Sequence, residues 1–86
     1  MKYILISFNS RNSVLTFAKI LSNYSIPSRT VSTPRAVSVS CGLCVKTDYR
    51  FLKDVINILQ QSKISGFDGV FLYTRINTSE RIERIY

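Results

Sequence analysis

The chain contains no histidine. That absence removes the Ser-His-Asp and Cys-His arrangements on which ordinary nucleophilic hydrolases depend, and with them the commonest metal ligand. Acids are also scarce. The five carboxylates are Asp48, Asp54, Asp68, Glu80 and Glu83, and no two of them sit at a spacing that pairs them for general acid–base work. Glycine occurs only at 42, 66 and 69, so no Walker-type or dinucleotide-binding loop is present. No apolar run approaches the roughly 20 residues of a bilayer span. The opening Met1-Lys2-Tyr3-Ile4-Leu5-Ile6-Ser7-Phe8 carries no small-residue cleavage signature and reads as a first strand rather than a signal peptide. A cytoplasmic protein without membrane contact is the expectation.

What remains is short, basic and apolar enough to fold. Eighty-six residues with 45% hydrophobic content allow one core in one domain. The formal charge of +7 favours phosphates, nucleic acids or acidic protein surfaces. The basic residues form no block, however, so a nucleic-acid partner is only weakly indicated.

Tyr3 to Phe8 is β-rich. Asn9 and Ser10 can cap the helix whose face is Val14, Phe17, Ala18, Leu21 and Tyr24, at three- and four-residue spacings. Pro27 places its end near Asn23 or Tyr24. Arg29 to Thr33 is an alternating, β-branched strand closed by Pro34. Residues 34 to 42 read as a loop, and Leu43 to Thr47 as a short strand. Asp48 caps a second helix on which Leu52, Val55, Ile56 and Leu59 recur at i, i+3, i+4 and i+7. After the turn-rich Ser65-Gly66-Phe67-Asp68-Gly69, Val70 to Tyr73 is a fourth strand. The order β-α-β-β-α-β predicts an α+β fold: a ferredoxin-like βαββαβ two-layer sandwich, with a four-stranded antiparallel sheet and two helices on one face. The domain is expected over residues 1–74. The tail, 75–86, reads equally as a short helix, an edge strand or a segment ordered by a partner.

With other machinery excluded, the reactive group is a thiol. Cys41 lies between Ser40 and Gly42 in the loop. Glycine leaves the sulfur approachable and permits unusual backbone angles, Ser40 offers a hydrogen bond to a thiolate, and Arg35 and Lys46 offer positive charge that favours it. Cys44, inside a strand, reads first as a small buried hydrophobe. Cys41-Gly42-Leu43-Cys44 is also a C-x-x-C, so a dithiol redox protein stays open, although the pair enters a strand rather than a helix. Two cysteines make half a zinc site and would need a dimer to complete it, so no metal is expected, and no cofactor. A non-enzymatic RNA- or protein-binding module is the other alternative, with Tyr3, Phe8, Phe71 and Tyr73 as the aromatic candidates. Alternation puts Tyr3 and Phe8 on opposite faces of the sheet.

Tyr3-Ile4-Leu5-Ile6-Ser7-Phe8, Ile26-Pro27 and above all Thr33-Pro34-Arg35-Ala36-Val37-Ser38-Val39-Ser40-Cys41-Gly42-Leu43 give the chain a resemblance. It is similar to the selenium/sulfur carrier-like family over roughly residues 2 to 74. The resemblance implies a thiol at Cys41 that accepts sulfur or selenium as a persulfide or selenopersulfide, framed by Pro34, Arg35 and Gly42. It also implies donor and acceptor proteins as partners, for example a cysteine desulfurase. A thiol at Cys44 would then either resolve the persulfide into a disulfide or serve packing.

Overall fold

A computed structural model describes residues 1–35, 37 and 42–86. The elements run β1 (Lys2–Phe8), α1 (Arg11–Asn23), β2 (Arg29–Ser32), β3 (Leu43–Asp48), α2 (Leu52–Gln61), β4 (Phe67–Ile76) and β5 (Ser79–Arg84). The sheet is antiparallel throughout, in the order β2-β3-β1-β4-β5. It has five strands where the sequence led us to expect four. The extra strand is the tail, whose three readings resolve as an edge strand. Asn77 adopts φ 57°, a left-handed conformation that asparagine tolerates, and there the chain reverses so that Tyr73 faces Ile82 and Arg75 faces Glu80.

Ser10 caps α1, accepting a hydrogen bond from the Ser13 backbone N–H at 3.2 Å. The Ser13 hydroxyl in turn donates to the Ser65 carbonyl at 2.9 Å, tying the helix start to the turn before β4. The helix ends before Pro27 can act. Ser25 takes φ 59°, its N–H donates to Ser22 and that of Ile26 to Leu21, which together make a Schellman closure. Asp48 does cap, but through a short 3₁₀ turn over Tyr49–Phe51 that leads into α2; its Oδ1 accepts the Arg50 N–H at 2.9 Å.

The strand β1 lies in the middle of the sheet, and Ile4 to Phe8 are at most 1% exposed. Its alternate residues serve two separate cores. Ile4, Ile6 and Phe8 join Val45 and Val70 beneath both helices, where Val14, Phe17 and Leu21 of α1 and Val55 and Ile58 of α2 close the main cluster. Leu5 points the other way, into a smaller cluster with Val37 and Cys44, flanked by Tyr3, Val31, Phe71 and Ile82. Among the described residues no helix is long and apolar enough to cross a membrane.

Candidate functional site

The cross-strand pairs Val31–Cys44 and Ser32–Leu43 bring β2 and β3 together below the loop that carries the Cys41 motif. One further backbone bond, from Thr33 N–H to the Gly42 carbonyl at 3.0 Å, closes its neck. Within the loop the Val37 N–H donates to the Pro34 carbonyl at 3.0 Å, making a turn on which Arg35 is exposed. Val37 itself is only 5% exposed. Alternation sends Val31, Cys44 and Leu5 to the sheet face that has no helices, and this small apolar patch is sealed by Val37 reaching over it from the loop. The loop is therefore held at two points, by a hydrogen bond at its neck and by a hydrophobic anchor on the sheet.

Cys41 and Ser40 lie outside the described residues, as do positions 36, 38 and 39. Chain connectivity places position 41 next to the neck residue Gly42. Gly42 is exposed, and a Cβ there would meet nothing within 4 Å among the described residues. Arg35 stands in the loop's own turn. Lys46 does not: it is four residues up β3 from Gly42, with its Nζ 4.1 Å from the centre of the Tyr3 ring. Cys44 is 0% exposed and packs with Leu5 and Val37. Sequence reasoning missed two residues of this region. One is Val37, the anchor. The other is Thr33, whose hydroxyl oxygen is buried without a hydrogen-bond partner at the loop neck. The signal for Val37 was one of two valines, with Val39, among small polar residues, too weak to single out an anchor from a loop residue.

The aromatic candidates separate as alternation demands. Phe8 is in the main core, tilted on Phe17 and edge-on to Phe67. Tyr3, Phe71 and Tyr73 share the helix-free face. Tyr3 and Tyr73 stack at 4.4 Å and 16°, and Lys46 covers the other side of Tyr3. With both faces taken, Tyr3 offers no platform to a nucleobase. Burial raises the pKa of both tyrosines; Tyr73 and the Glu80 carboxylate add to the rise at Tyr3, and a hydrogen bond to Glu80 adds to it at Tyr73, where Arg75 and the Tyr3 hydroxyl pull the other way. Among the described residues no three metal-ligating side chains gather.

A model of the family described as Putative Se/S carrier protein-like matches residues 2–68, from β1 through the motif loop to the start of β4. No curated protein matches the chain, and no solved structure does.

Proposed function

The chain belongs to the Se/S carrier protein-like family, and from that premise we propose that it carries sulfur or selenium on the Cys41 thiol as a persulfide or selenopersulfide. The observation that supports this reading is the family match over residues 2–68, a range that includes the motif, with the loop neck tied at Thr33–Gly42 and Val37 packed on the sheet. A carrier needs one thiol on a defined mount and a surface that partners can reach. It needs no acid–base pair, in keeping with a chain so poor in acids and lacking histidine.

The chemistry is an exchange between sulfurs. The Cys41 thiol loses its proton to solvent, and the thiolate attacks the terminal sulfur of a persulfide on a donor protein of the cysteine-desulfurase type. A bond forms between Cys41 Sγ and that sulfur. The donor's sulfur–sulfur bond breaks, its electron pair leaves with the donor thiolate, and no net oxidation occurs. Handing the atom to an acceptor thiolate repeats the same exchange. The positive surface speeds docking to acidic partners, and a reducing compartment such as the cytoplasm keeps the thiol available. The order β2-β3-β1-β4 supports a ferredoxin-like reading of the first four strands, with β5 added at the edge. Arg35, exposed in the loop turn, is the cation available to a persulfide anion. Ser40 and Gly42 complete the frame.

Intact-mass analysis after incubation with a desulfurase and cysteine tests this. The wild type should gain the mass of one sulfur and Cys41→Ser should gain none. No gain on the wild type, or equal gain on Cys41→Ser, overturns the reading. Cys44→Ser should retain most of the loading, whereas a dithiol redox protein would lose its activity with that change.

A further inference from the structure

At the opposite end of β3 from the motif loop lies a cleft of about 430 Å³, lined by Lys2, Tyr3, Pro27, Arg29, Lys46 and Asp48 among others. Gly42 and Lys46 are four residues apart, roughly 13 Å along a strand, so the cleft is separate from the loop. Its charges are arranged unfavourably for a protein that binds nothing there. Arg29 and Lys46 are direct cross-strand neighbours, and like charges so placed repel. No carboxylate relieves them: among the described residues the one ion pair is Arg81 with Glu83, on β5. The single acid of the cleft, Asp48, already accepts the Arg50 N–H. Ring faces hold the lysines instead, Lys46 over Tyr3 at 4.1 Å and Lys2 over Tyr49 at 5.3 Å. A ring face orients an ammonium without neutralising it.

The floor is firm. The Thr47 hydroxyl, on a buried residue, donates to the Pro27 carbonyl at 2.6 Å, fixing the β3 end against the connection from α1 on which Arg29 begins β2. The side chains alone, three cations against one carboxylate, leave an excess of two positive charges, and the ammonium of Met1, which also lines the cleft, adds to it. A phosphate monoester carries about that much negative charge at neutral pH, and arginine and lysine are the side chains that take it, one as a fork and one as a point charge. The volume exceeds what a lone phosphate fills and lies within the range of small-molecule sites.

We infer that this cleft binds a small phosphorylated molecule, an organic phosphate monoester or a diphosphate, through Lys2, Arg29 and Lys46. The site is independent of Cys41, so Cys41→Ser should bind identically, and loss of the carrier reading leaves it standing.

The test is a two-dimensional ¹⁵N NMR titration of the full chain with pyrophosphate, with glycerol phosphate and, as the polymeric phosphate source, with a single-stranded RNA oligonucleotide. Saturable shifts should centre on the amides of Lys2, Arg29 and Thr47 for a small phosphate. Arg29→Gln and Lys46→Gln should each weaken binding about tenfold or more, while Lys63→Gln, away from the cleft, leaves it unchanged. Preserved spectral dispersion shows that the variants fold, and the exposed edge residue Arg29 carries the test if Lys46→Gln disturbs Tyr3. The inference is overturned by shifts that do not saturate, by equal weakening in Lys63→Gln, or by RNA binding at these amides more tightly than the small phosphates do.

Discussion

Replacing Val37 by alanine in a Cys41→Ser background should make Cys44 chemically reachable. Cys44 is 0% exposed and shares its cluster with Val37, itself 5% exposed, and Leu5, so a reagent meets its sulfur only when the loop lifts. Alanine removes two methyl-sized groups from that contact, worth about 1.6 kcal/mol at about 0.8 each. If opening is fast relative to labelling, the rate follows the open population, and the loss translates into a roughly fifteenfold faster reaction. The assay is the rate of labelling by an aromatic disulfide, in Cys41→Ser and in Cys41→Ser/Val37→Ala. Because the opening exposes one loop and not the main core, the rate should depend only weakly on added urea. Two results refute the reasoning. One is equal rates in the two proteins. The other is a Cys44 that already reacts in the Cys41→Ser parent at the speed of an exposed thiol.

Other expectations follow from particular contacts. Gly66 has φ +81°, and a Cβ there would collide with the Asn9 side-chain amide. Gly66→Ala should therefore cost about 1–3 kcal/mol in urea denaturation, with Asn9→Ala recovering only the share due to the clash. Thr47→Val strips the Pro27 carbonyl of its hydroxyl donor and should destabilise by about 1–3 kcal/mol; an unchanged denaturation midpoint would show that bond to be dispensable. Tyr3 and Tyr73 have raised pKa values, burial being the leading cause, so the fold favours their neutral forms. Their contribution is complete below the ordinary phenol value of about 10 and is lost as pH rises through the higher folded-state values. Thermal melts should fall steeply in that alkaline window and less steeply in Tyr3→Phe, and an identical alkaline decline in the two proteins would contradict this.

The sequence displayed most clearly what local chemistry decides. Ser10 and Asp48 were visible as caps because their side chains satisfy donors two or three residues away. Elsewhere distant partners overrode the local pattern. The second helix was read from Leu52, Val55, Ile56 and Leu59, yet Ile58 is more buried than Ile56 or Leu59, because the sheet and α1 set which way the helix is rolled. The strand β4 was read as starting at Val70 because Gly66, Asp68 and Gly69 resemble a turn. It starts at Phe67, with a shift in register opposite Ser7 and Phe8. The tail gave no clear period, since an edge strand with one half-buried isoleucine, Ile82, lacks the alternation of a strand over a core. At the candidate site, composition singled out the thiol at 41, whereas the Val37 anchor arises only from folding the loop onto a face built by β1, β3 and β4.

The central place of β1 has a consequence for how the protein is made. Residues 2–8 leave the ribosome before either strand that flanks them: β3 ends at Asp48 and β4 at Ile76. Five consecutive side chains that finish buried emerge unpaired and stay so until β3 and then β4 follow. That interval is when an apolar extended segment is most prone to stick to others of its kind, so crowding on polysomes should lower the yield of native protein.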